Sequence, residues 1–188
     1  MVKTTARTWL LGFALLAGCA LVRVDYFQPV DPPGVLKGGP CGSGPKDHVI
    51  LEFGEVTLEV AVIKSHLQPE LMVGFDIPQG HSITLLENTV LVNGKPHVFD
   101  AVKTRDRKTG TVTEVDRVLI GSGEKRFRWI VSDLSDLPAH FVIELPLEPA
   151  SDEFHIRLMP MQLDGGAVPL PEMTFRKASG LFSTPINC

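Results

Sequence analysis

The sequence predicts an all-β chain, an antiparallel β-sandwich, and three observations carry that expectation. Short runs rich in β-branched and aromatic residues recur at intervals of about ten residues. Gly, Pro, Asn and Asp separate them, as turns require. The clearest run, Glu55 to Val62, alternates apolar and polar residues over its whole length. Period two means one buried and one wet face.

Taken in order, Val49 to Phe53 should pair with Glu55 to Val62 across Gly54, with Val56, Leu58, Val60 and Val62 pointing inward. Leu71 to Asp76 follows, ended by Ile77-Pro78-Gln79-Gly80, then Ser82 to Leu86 and Thr89 to Val92. Asn93-Gly94 tolerates positive φ at both centres of a type I′ turn, so it predicts a two-residue hairpin. The return strand, Pro96 to Ala101, must keep Pro96 where no ladder donor is needed. Thr111 to Ile120, Phe127 to Val131, Phe141 to Leu145 and Phe154 to Leu158 come next. Asp164-Gly165-Gly166 supplies a turn before a last strand around Met173 to Arg176. One helical turn is expected at Ser132 to Leu137, closed by Pro138. With no fixed-period repeat, a sandwich of immunoglobulin-like topology is favoured, although no Cys-Trp-Cys signature accompanies it.

Composition narrows the function classes. The chain has 188 residues, a hydrophobic fraction of 44% and a formal charge of -4. Such a chain can build one core. A nucleic-acid binder would usually be basic, so none is expected. No apolar stretch reaches the roughly 20 residues of a spanning helix.

The N-terminus reads as an address. Lys3 and Arg7 precede the uncharged run Trp9 to Ala17, the pattern of a secretory signal. The run ends in Leu16-Ala17-Gly18-Cys19, which resembles the lipobox of bacterial lipoproteins. The resemblance covers about the first 20 residues. It implies cleavage before Cys19, a diacylglycerol on the Cys19 thiol and usually an acylated amine. Residues 1–18 would be the signal peptide. In such lipoproteins an Asp after the cysteine commonly retains the protein at the inner membrane. Here Ala20 stands there, so the outer membrane is expected, with the domain facing the periplasm.

With Cys19 lipidated, Cys41 and Cys188 remain in an oxidising compartment, where an even pair is expected to form a disulfide. Between Pro29 and Pro45, ten of 17 residues are Gly or Pro. That composition predicts an extended linker, so residues 19–46 are read as a lipidated tether and residues 47–188 as the sandwich domain.

Candidate chemistry is sparse. No G-x-S-x-G elbow exists, and the six histidines are spread singly without zinc-ligand spacing. His155, Met159 and Met161 share one face of an ideal strand, and thioether with imidazole suits Cu(I). Pro160 and the use of methionine as core filler argue against that site. Lys103 to Lys108, with Lys103, Arg105, Arg107 and Lys108, makes a basic tip that suits an anionic partner or an edge-protecting loop. The expectation is a lipid-anchored, non-enzymatic binding or structural module of the cell envelope. It requires no cofactor, and its partners would be the membrane and an envelope protein or glycan. The alternative is an envelope hydrolase or a metal-handling protein of copper type, whose site forms only in three dimensions.

Overall fold

The computed structural model describes residues 19–38, 44–64, 67–100, 102–105, 112–114, 118–119, 127–132 and 139–185. Among them are seventeen strands and no helix, in three antiparallel sheets. The first sheet runs β1 (Cys19–Val30), β17 (Met173–Pro185), β14 (Glu153–Arg157), β7 (Thr89–Val92), β8 (Lys95–Val98). The second runs β10 (Val112–Glu114), β9 (Lys103–Arg105), β13 (Ala139–Pro146), β5 (Pro69–Ile77), β4 (Val56–Lys64), β3 (Lys46–Phe53), β2 (Val35–Gly38). The third runs β11 (Val118–Leu119), β12 (Phe127–Ser132), β6 (Ser82–Leu85), β15 (Met161–Leu163), β16 (Gly166–Val168).

All three sheets feed one core, so the architecture is sandwich-like. Phe27, Phe154 and Phe175 come from the first sheet, Leu58, Val60, Leu71 and Phe75 from the second, Ile83, Leu85 and Met161 from the third. Each such side chain contributes roughly 1.5–3 kcal/mol on burial. The predicted inward set holds: Val56, Leu58, Val60 and Val62 are all buried. Leu58 sits between Leu51 and Phe75, and Val60 between Val49 and Val73. Phe127 and Trp129, which the same alternation along their strand would turn inward, have side chains outside the described set. An immunoglobulin sandwich arranges about seven to nine strands in two sheets. Here the strands are distributed over three.

The local turns follow the sequence. Asn93 and Gly94 have φ of 51° and 74°, the positive pair that a type I′ hairpin needs. Pro96 lies opposite Leu91 on the outermost strand of its sheet, where its missing N–H leaves no ladder bond unmade. Asp164 and Gly165, at 50° and 82°, close the β15–β16 hairpin in the same way.

Three expectations need correction. The segment read as a tether contributes β1, paired with β17 over its full length, and β2, paired with β3. The Gly and Pro content excludes a helix or a central strand, but both of these strands are edges, and Pro29 lies near the end of one. An edge tolerates a missing donor. The expected single run Thr111 to Ile120 supplies two short strands, β10 and β11, in different sheets. The last strand continues well past Arg176 to Pro185, because β1 is there to pair with it. Ser132 ends β12, and the rest of the expected helical turn, 133–137, lies outside the described residues.

Candidate functional site

Two features of the surface are built from enough chemistry to consider. The first is the outward half of the β1–β17 pair. Among the described residues, Phe27 and Phe175 are the last core residues these strands contribute before they run toward Cys19 and Pro185. Beyond them the pair is a two-stranded ribbon on which Leu21 is 69%, Val22 42% and Leu181 67% exposed. Tyr26 meets Phe182 edge to face at 5.6 Å. A Cβ on Gly180 would lie 2.8 Å from the Phe182 ring, so the bare backbone there lets the ring fold back across the ribbon.

The ribbon's root carries charge. Lys64 Nζ donates to Asp25 Oδ2 at 2.9 Å, Lys177 Nζ to Asp152 Oδ1 at 2.9 Å, and Arg23 to Ser179 Oγ at 3.3 Å. Lys64 holds the Asp25 carboxyl below its ordinary range, and Asp152 raises the Lys177 ammonium. A cleft of about 200 Å³ lies beside them, lined among others by Tyr26, Lys64, Leu67, Pro149, Ser151 and Lys177.

The second feature is a row of histidine–carboxylate pairs across the second sheet. His48 Nδ1 lies 2.6 Å from Glu59 Oε1, with Lys37 Nζ 3.6 Å from the same oxygen. His140 Nδ1 lies 2.7 Å from Asp76 Oδ1. Gly74 separates the pairs: a Cβ there would stand 3.3 Å from His140 Cε1 and 3.7 Å from the Glu59 Cβ. Asp47 Oδ1 approaches His48 Nε2 at 3.5 Å, ion-pair range, yet among the described residues it is buried without a hydrogen-bond partner. Burial therefore raises the Asp47 carboxyl, while the Glu59 hydrogen bond raises His48 and the same bond lowers Glu59.

This row has the base-and-orienter half of a nucleophilic site. Among the described residues no hydroxyl or thiol is hydrogen-bonded to either ring. What the row does provide is pH dependence, and the sign follows from linkage. His48, raised in the fold, stabilises fully below its ordinary 6.5 and loses that contribution as pH rises through its folded value. Glu59, lowered in the fold, stabilises above its ordinary 4.5 and loses that contribution as pH falls through its folded value. Their joint contribution is therefore greatest between those ordinary values. Denaturation midpoints measured across that range and above it should fall more steeply with rising pH in the parent than in Glu59→Gln. Parallel profiles would remove the pair from the pH response.

The histidine pairs were missed in the sequence reading, although one was within reach. The β3–β4 hairpin register puts His48 opposite Ala61 and Ile50 opposite Glu59, making His48 and Glu59 diagonal neighbours. No comparable signal joins His140 to Asp76, which are 64 residues apart.

The residues singled out in the sequence fall as follows. Cys19 opens β1, opposite Pro185, while Cys41 and Cys188 lie outside the described residues. His155, Met159 and Met161 do not converge. His155 is on the wet face, close to Thr174 Oγ1 and Glu153 Oε1, while Met159 and Met161 are buried in the core. The reason is that β14 ends at Arg157, so strand alternation does not carry through Pro160. Lys103 is bound within the fold, donating to Glu144 Oε2 at 3.0 Å. Arg105 belongs to β9, with its side chain outside the described set, and Arg107 and Lys108 lie outside the described residues. Among the described residues no group of three His, Cys, Asp or Glu side chains is placed to hold a metal ion, and no helix is long and apolar enough to cross a membrane. No protein-family model matches the chain, and neither a curated protein nor a solved structure is similar to it.

Proposed function

We propose that the chain is a lipid-anchored module of the cell envelope, acylated at Cys19, that acts by binding or scaffolding rather than by catalysis. The observation that carries this reading is the N-terminal sequence: Lys3 and Arg7, the uncharged run Trp9 to Ala17, and Leu16-Ala17-Gly18-Cys19 at its end. Cys19 itself belongs to β1, so cleavage before it would spare the described strand. An acyl group there would join the sandwich to the bilayer through a strand, without a flexible spacer, and two or three acyl chains hold a protein stably. The outer membrane is the favoured destination, because Ala20 and not Asp follows the cysteine. The working surface would be the sandwich itself, turned toward an envelope protein or glycan.

The anchor has a direct test. Cys19→Ala should release the protein from washed membranes and leave the sandwich folded by circular dichroism. Retention on membranes after a high-salt wash, together with no labelled palmitate on the parent's Cys19, would refute the anchor, and a sucrose gradient on the parent would separate inner from outer membrane. A Cys41–Cys188 disulfide completes the proposal. Closing so long a loop stabilises by roughly 5 kcal/mol in the chain-entropy model. Both thiols should resist alkylation until reductant is added. Free alkylation of the native protein would count against the bond.

A further inference from the structure

We propose that the outer end of the β1–β17 ribbon is a second membrane contact, seated on the phospholipid interface beside the anchor. This inference rests on acylation of Cys19. Along the ribbon, side-chain chemistry changes with distance from that residue. Leu21 and Val22 come first, with Phe182 opposite Val22 and Leu181 opposite Arg23. Tyr26 follows, and Lys64 and Lys177 flank the root. At about 3.3 Å per residue, Leu21 lies within about 7 Å of Cys19, Arg23 about 13 Å and Tyr26 about 23 Å along the strand.

Acyl chains would fix Cys19 at the glycerol level of the bilayer. The exposed Leu21 and Val22 are then held within reach of the headgroup and acyl boundary, where surface-bound apolar residues bury by about 5–10 Å, with Leu181 at the level of Arg23. Arg23 is one step farther out, where a long cationic side chain can rest its stem on the apolar layer and keep its charge among phosphates. Tyr26, about 23 Å along the strand, stands beyond that layer and packs on the Phe182 ring. The covalent link names the occupant, because Leu21 and Val22 are tied two and three positions from the lipid and Leu181 stands opposite the fourth. The ribbon also sets a depth limit. β14 pairs with β17 only as far as Arg176, and β1 is an edge. Backbone groups left unpaired on a strand edge are too costly to place in hydrocarbon, so the contact is interfacial and not inserted.

Fluorescence quenching by brominated phospholipid tests the contact in the full chain, expressed with its leader, purified and reconstituted into vesicles. Leu181→Trp reports the ribbon, and Val98→Trp, on the opposite edge strand β8 and 57% exposed in the parent, reports the far side. Each is read as the difference from the unsubstituted protein, and labelled palmitate on Cys19 is measured in parallel. The Leu181→Trp emission should fall at least about twofold while that of Val98→Trp is unchanged, as interfacial burial of one end requires. Labelling without quenching at Leu181→Trp overturns the ribbon contact and leaves the anchor standing. Equal quenching at both positions overturns it too, since the whole domain would then lie flat. Absence of label overturns the anchor. Quenching that survives without label keeps the ribbon as a lipid contact in its own right, and loss of both removes the two together.

Discussion

Phe27→Ala should lower the unfolding free energy by about 3–5 kcal/mol, the range for truncating a buried aromatic. Phe27 is 3% exposed and packs on Phe154 at 5.1 Å between ring centroids. Among the described residues it is the only one of β1 in the buried apolar core, so its removal both opens a cavity and loosens β1 from the sandwich. The result discriminates between two readings of residues 19–46. A tether residue replaced by alanine changes stability within about 0.5 kcal/mol, whereas a core residue does not. Urea denaturation in a Cys19→Ala background measures it without lipid. A midpoint unchanged from that background would return the segment to the role of a linker.

Gly34→Ala should be the second large effect, about 3 kcal/mol or more. A Cβ at this position would stand 2.1 Å from the Ile50 carbonyl oxygen and 2.8 Å from Leu51 Cδ2. The nearest obstacle is backbone in β3, which cannot swing aside as a long side chain would. The substitution therefore forces β2 away from β3 at the point where the chain, having turned through Asp31 at φ 45°, joins the second sheet. Val35→Ala, at a side chain 63% exposed, is the control and should change stability by no more than about 0.5 kcal/mol. Thermal melts of the two variants side by side would decide it. Equal melting temperatures would mean that the close approach at Gly34 is not maintained in solution.

Local chemistry made part of this legible beforehand. The alternation from Val56 to Val62 and the glycine at Gly54 were enough to place the β3–β4 hairpin and its buried face; the register is set by a turn that takes up Glu55 as well as Gly54. Asn93-Gly94 marked a further hairpin and Asp164-Gly165 a further turn, because few residues other than Asn, Asp and Gly enter positive φ readily; that the latter joins β15 to β16 came from the structure. The His48–Glu59 pair follows from the observed register, which makes the two residues diagonal neighbours once Glu55 is placed in the turn. The copper-type grouping of His155, Met159 and Met161 failed for the converse reason. Shared parity in the sequence means a shared face only while the strand lasts, and β14 stops at Arg157.

What the sequence by itself determined was therefore whatever depends on neighbours along the chain: the all-β class, most strand positions, the tight turns and the face that each long strand buries. Tertiary structure decided what depends on partners far away. The twelve residues from Cys19 became a strand because β17 was extended beside them, and no property of either segment alone names the other. The run after Thr111 was divided between two sheets, and His140 met Asp76 because β13 returns to β5 after strands of the other sheets have intervened. Backbone hydrogen bonding is the same for every residue but proline, so it does not select a partner. Selection comes from which apolar faces can be buried together, and that is a property of the whole core.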